Sequence, residues 1–338
     1  MPASNVQWAV PLIRQNPWFP GQMGVEGGWT ETGLHTHCTG SVFYVDPNYP
    51  GASDGRDGTD PTDPLLSVTG AVARCGDYQG DTIVVMQNST WTYAPQTPFP
   101  TGIAEHVILN KAGVRLVGLS PSSLGVPWVP TANSGTCLTI TAMDVTVEGF
   151  CFWNSGAYIT TTGILVAWNA PTLYGESCVM RNNFFYGLAY GIQADYSWNN
   201  YIEHNSFQGI STAAIHNPSV YGEPDYLTIR NNMFVSNAAD INLPDTDDCL
   251  IENNRFMDVT AAIVMLNGDQ NTIHGNTIQG DPTGTNNYVN LTVGASNLVS
   301  QNVLGCTIAQ YDVVASDATS GSWVGNLCTN GTATAPPI

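Results

Sequence analysis

Seven side chains recur at one fixed place in a repeating stretch of this chain: Glu148, Arg181, Glu203, Arg230, Glu252, His274 and Ser300. Each follows the last apolar residue of a short alternating segment and precedes a turn. Glu203, Arg230, Glu252 and His274 then run acid, base, acid, imidazole. If successive segments stack as parallel strands, these residues form an outward column with about 4.8 Å between rungs. Two carboxylates about 5–10 Å apart can divide the work of cleaving a glycosidic bond, and Glu203 and Glu252, two rungs apart, approach that range. Arg230 or His274 beside a uronic acid can instead serve a β-elimination. The structural alternative is a row of cross-strand ion pairs that fixes coil order, each worth little when exposed.

Only a repeat can place these residues in one column, and the sequence carries one. The segments CVMRNNFF (178–185), YIEHNSF (201–207), LTIRNNMF (227–234), LIENNRF (250–256), TIHGNTI (272–278) and LVSQNVL (298–304) align on Asn183, Asn205, Asn232, Asn254, Asn276 and Asn302. The anchors are separated by 22, 27, 22, 22 and 26 residues. Alternation before each Asn predicts a strand with one buried face. The Asn falls where the chain bends, a residue type that tolerates the left-handed region, and its amide can bond the next coil's amide. About 22 residues leave room for three short strands and three turns, and the longer spacings predict loops that bulge on one side. VRLVGL (114–119) and VTVEGFCF (145–152) fit the same strand with Gly118 or Gly149 at the bend. The expected fold is all-β, a parallel β-helix solenoid stabilised mostly by contacts between neighbouring coils.

Residues 42–85 predict a cap for its open end: a first strand from Val42 to Val45, an Asp/Gly loop, Pro64, a short helix over about Leu65 to Arg74, and Gly80-Asp81-Thr82-Ile83 leading into the first coil. With these features the chain, over roughly residues 40–310, resembles the pectate-lyase-like superfamily of right-handed parallel β-helices, which includes polysaccharide lyases, some glycoside hydrolases and phage tailspikes. The resemblance implies sites built on calcium-binding aspartates with an arginine or lysine base. Lys111 lies before the regular coils and off the charged column. Of the polygalacturonase motifs, Asp247-Asp248 and His274-Gly275 match fragments in a different setting.

The bulk composition restricts partners. The 338 residues carry 27 acidic and 8 basic side chains, a net charge of −19. Nucleic acid and anionic membranes are excluded as expected partners, because both need basic patches. No apolar run reaches the length of a membrane span. Residues 1–10 lack a basic region followed by an apolar run, so the expectation is either a removed signal or a protein not secreted by that route. The eight cysteines form no CxxC pair; they read as buried thiols, with one or two disulfides as the alternative.

Several smaller clusters invite ligands. Asp245, Asp247 and Asp248 can offer clustered oxygens to calcium, the only cofactor the sequence suggests, or form a solvated turn. Asp54, Asp57, Asp60 and Asp63 more readily make Asx-turns in the cap. His35, His37 and Cys38 lie close enough to ligate a metal. Tyr196, Trp198 and Tyr221 are the candidate sugar-stacking rings, with Trp153, Trp168, Tyr174, Tyr186 and Tyr190 as further aromatics expected in turns.

The chain therefore divides into an aromatic arm (1–39), a cap (40–80), coils (81–306) and an exit strand with tail (307–338). The expected function is that of a virion structural or receptor-binding protein of tailspike, fibre or decoration type. Such a protein is located on the virion or outside the cell, forms a homo-oligomer taken as a trimer, and contacts other virion proteins through the arm. The alternative is a polysaccharide lyase or glycoside hydrolase working in a groove on the solenoid, with Glu203, Glu252, Arg230 and His274 as its catalytic residues.

Overall fold

The computed structural model describes residues 40–87, 102–120, 124–131, 135–154, 160–169, 173–218, 224–259, 262–280, 289–293, 296–305 and 323–328. These residues form a right-handed parallel β-helix. Its three long sheets, of 11, 9 and 8 strands, are termed A, B and C, and each coil contributes a strand to each in turn. In one coil, Phe184–Tyr186 lies in sheet B, Tyr190–Ala194 in sheet C and Tyr201–Glu203 in sheet A. The next coil repeats this with Ser206–Gln208, Ala213–His216 and Thr228–Arg230, all in parallel register. The stack continues to Trp323–Val324 and Leu327–Cys328, past the boundary read at residue 306.

Strands this short hold because each inward apolar side chain sits on another in the next coil, often one of its own kind. Ile202, Ile229, Ile251 and Ile273 form one such column on sheet A, each essentially inaccessible to solvent. On sheet B the column is aromatic: Phe152, Phe185, Phe207, Phe234 and Phe256 stack at centroid distances of 5.1, 4.7, 5.1 and 4.7 Å. The facing column on sheet C must be narrow. A Cβ on Gly191 would fall 2.7 Å from Cδ1 of Phe207, and one on Gly163 2.8 Å from Cδ1 of Phe185.

The asparagine column turns the corner between sheets A and B, and all its members are buried. Asn205 Nδ2 donates to Asn232 Oδ1 (3.1 Å) and to the Met180 carbonyl (2.8 Å). Its Oδ1 accepts from Asn183 Nδ2 (3.3 Å) and from the Asn183 backbone N–H (3.0 Å). The pattern repeats through Asn232, Asn254, Asn276 and Asn302 to Asn326. Every amide group is thus satisfied inside the protein, which burial requires.

One expectation is corrected by the backbone. The left-handed residue is not the ladder asparagine but the one before it: Asn182, His204, Asn231, Asn253, Gly275, Gln301 and Gly325 all have φ between 54° and 68°. The buried amide needs an ordinary backbone to reach along the axis, so the bend falls one residue earlier. The loops expected of the two longer coils fall largely at residues 219–223 and 281–288, outside the described residues.

A second left-handed series occupies the corner entering sheet A, two residues before each strand: Asp144, Ser177, Asn199, Tyr226, Asp248, Gln270 and Ser296, with φ from 54° to 65°. Beside it runs a partial ladder of Asn200, Asn271 and Asn297, preceded by Cys178 and broken by Leu227 and Cys249.

The cap begins with Val42–Val45, paired in parallel with Thr82–Met86. The helix Val68–Val72 is shorter than expected and buries Val68, Ala71 and Val72 over the end of the core. Ser67 caps it by accepting from Gly70 N (2.9 Å). The acidic loop is structural: Asp54 accepts from Leu66 N and Ser67 N, and Asp57 and Asp60 accept from the amides two residues on. The described cysteines, Cys75, Cys137, Cys151, Cys178 and Cys249, are buried free thiols. No helix among the described residues is long and apolar enough to cross a membrane.

Candidate functional site

The charged column lies on the outer face of sheet A. The pairing runs Glu148, Arg181, Glu203, Arg230, Glu252, His274, Ser300 without a break in register. Inward Met180, Ile202, Ile229, Ile251 and Ile273 alternate with these residues and hold them outward.

The members differ in what they are bonded to. Glu148 is almost covered, because Arg115 and Arg181 close on it from neighbouring coils. Arg115 Nε donates to Oε1 (2.8 Å) and Arg181 Nε to Oε2 (2.8 Å). Arg115 was not in the column as read from the sequence. It lies two residues before Val117, the register partner of Glu148, and no asparagine marks its coil. Arg230 pairs with Glu203 (2.8 Å) and remains more open. Glu252 lies in register between Arg230 and His274 and makes no ion pair among the described residues. His274 Nδ1 is 3.0 Å from Ser300 Oγ. From the rung spacing, Glu203 and Glu252 are about 9–10 Å apart along the stack. That is too wide for a retaining pair and at the upper end of an inverting one, and Arg230 stands on the rung between the two carboxylates.

The acidic corner at residues 245–248 extends the second left-handed series. Asp225 Oδ1 accepts from Asp247 N (3.2 Å), and Asp247 Oδ1 accepts from Asp269 N (2.6 Å). Burial, opposed by the bond from Asp247 N and helped by the charges of Asp247, Asp248 and Asp245, pushes the Asp225 carboxyl above its ordinary value. Asp247 therefore works as a link between coils. Among the described residues, no three His, Cys, Asp or Glu side chains converge as a metal ion would need.

Tyr196 and Trp198 pack together at the same corner with ring centroids 5.3 Å apart. Tyr221 lies outside the described residues, as do His35, His37, Cys38 and the arm 1–39. Trp153, Tyr186 and Tyr190 stand on strands rather than in turns. Tyr201 and Tyr226 were missed by sequence reasoning. They are 40% and 53% exposed and occupy neighbouring coils beside Trp198. For Tyr201 the signal was present: it lies two residues before Glu203, on the same outward face.

Several solved structures resemble this one weakly. The Dettilon tailspike protein has a TM-score of 0.33 and 12% identity, covering 88% of this chain and 70% of its own. A rhamnogalacturonan lyase has a TM-score of 0.37 and 10% identity, with coverages of 87% and 89%. For the ORF18 protein of Geobacillus virus E2 the values are 0.36 and 15%, with 85% of this chain and 60% of that one covered. These likenesses carry no statement about activity. No curated protein matches the sequence. A family described as periplasmic copper-binding protein (NosD) matches residues 139–331, more than half of the chain and the stretch that contains the asparagine ladder and the charged column. With that match over its regular coils, this parallel β-helix belongs to the NosD family.

Proposed function

We propose that the chain is a rigid recognition scaffold that works outside the cytoplasm and takes a glycan or receptor on its outer surface, as a virion attachment component of tailspike, fibre or decoration type does. The observation that carries this reading is the state of the charged column. Glu148 is bracketed by two arginines and Glu203 is paired to Arg230, so neither carboxylate stands free to act as a general acid or base. A periplasmic setting, named by the family, is equally outside the cytoplasm. In this reading the chain assembles as a trimer through its outer faces, which light scattering tests directly. The functional test is a screen of acidic and neutral polysaccharides for binding and for cleavage. Binding without cleavage is expected.

A second reading, a polysaccharide lyase or hydrolase, is favoured by Glu252, a carboxylate beside His274 that no arginine neutralises. Cleavage that disappears in Glu252→Gln or Glu203→Gln would replace the first reading with this one.

The family name also raises copper. Copper sites draw on thiolate, thioether and imidazole ligands. Here the five described thiols are buried singly, and burial raises each of them above its ordinary value, so they remain protonated. His106 is held against Thr139 and His216 against Asn242, several coils apart on sheet C, and His274 against Ser300 on sheet A. The described residues do not fit copper.

A further inference from the structure

Within the left-handed series that enters sheet A between Asp144 and Ser296, Tyr226 is the one bulky residue. The left-handed region costs an L-residue about 1–2 kcal/mol, least for Asn and Asp, whose side chains bond locally. Tyr226 gains little packing to offset that cost, because its side chain stands 53% exposed. Sparsely allowed backbone of this kind concentrates at functional sites. On the adjoining coil Tyr201 is also exposed, and its register partner Thr228 lies two residues after Tyr226. Tyr196 and Trp198 back the same corner, where the Trp198 carbonyl accepts from Ser177 N. Two residues beyond Tyr201, on the same outward face, stand Glu203 and its partner Arg230, whose side chain is 40% exposed.

We infer that this corner binds a neutral polysaccharide, with consecutive sugar rings stacked on Tyr201 and Tyr226 and their hydroxyls bonded by Glu203 and Arg230. The inference rests on the recognition reading and gives it a place and a ligand class. A pyranose ring offers an apolar face of C–H groups and a rim of hydroxyls. A half-exposed tyrosine matches the face, and a carboxylate and a guanidinium match the rim. Two rings on successive rungs favour a ligand that itself repeats. Charge selects the class: Asp225 precedes Tyr226, Asp247 and Asp248 lie on the next coil, and the chain carries −19 overall, so a polyuronate is repelled. Separated rings within a charged rim are also unlike the contiguous apolar centre of a protein interface.

Affinity electrophoresis of the full chain in native gels containing galactomannan, arabinoxylan or dextran tests this, with polygalacturonate as the anionic arm. At least one neutral polymer should retard the protein, and polygalacturonate should not. Tyr201→Ala and Tyr226→Asn should each weaken retardation about tenfold, and the double variant should abolish it. Tyr226→Asn also controls for folding, since Asn suits the left-handed backbone and should hold or raise the melting temperature. Retardation unchanged in both variants would overturn the site while leaving the recognition reading intact. No retardation by any neutral polymer, or tyrosine-dependent retardation by polygalacturonate, would overturn the ligand class.

Discussion

Asn205 and Asn232 are joined twice: the Asn205 backbone N–H donates to Asn232 Oδ1 at 2.9 Å, and the Asn205 side-chain amide donates to the same oxygen at 3.1 Å. Asn232→Ala therefore strands two buried donors, and the Ile202 carbonyl loses its donor as well. Unsatisfied buried groups cost about 1–3 kcal/mol each. The loss should reach about 3 kcal/mol or more by denaturant unfolding.

Glu148 and Glu203 share a column but not an environment. Glu148 is almost covered and holds two arginines; Glu203 holds one that is well exposed. Removing one partner of a covered pair leaves the other charges uncompensated, whereas exposed pairs contribute about 0–1 kcal/mol. Glu148→Gln should therefore destabilise by about 2 kcal/mol or more, and Glu203→Gln by less than about 1 kcal/mol. Equal losses in thermal unfolding would contradict the assignment.

Asp240 is buried beside Asn237, whose amide donates to its Oδ1 at 2.9 Å, while its Oδ2 has no partner. Burial pushes its carboxyl up to about 8. Unfolded, the group ionises near pH 4. Between these values the folded chain holds the extra proton, so this group's contribution makes stability fall as pH rises, by up to ~1.4 kcal/mol per pH unit. Asp240→Asn should remove that slope and be the more stable protein at pH 8. Parallel pH–stability curves for the two proteins would refute the assignment.

Burial raises the Cys75 and Cys178 thiols to about 12. A thiol reagent at pH 8 should leave peptides containing Cys75, Cys137, Cys151, Cys178 and Cys249 unlabelled in the native protein and label them after unfolding, as read by mass spectrometry.

The features that carry the fold were legible because they repeat. Six asparagines and the alternation before them fix coil length, register and the outward column. Legibility weakened where one residue type replaced another in the same role. Gly118 and Gly149 stand where later coils carry Asn182 or Asn231, so the coil of Arg115 gave no anchor and its bond to Glu148 went unseen. The partial ladder of Asn200, Asn271 and Asn297 was hidden because Leu227 and Cys249 interrupt it. Tyr226 escaped because backbone conformation is not written in a residue type that ordinarily avoids it. The positions of Asp247 and Asp248 were legible, but the link from Asp247 to the amide of Asp269 is a contact between coils that no local pattern encodes.

The core has a consequence for how the chain finds its structure. Phenylalanine lies on phenylalanine and asparagine on asparagine, so the interior would accept a misthreaded stack in which one coil has been skipped. The exterior would not: skipping the coil of Arg230 sets Glu203 directly against Glu252. The charges on sheet A thus act as a proofreading code during folding, rejecting slipped assemblies that the apolar interior cannot tell from the correct one.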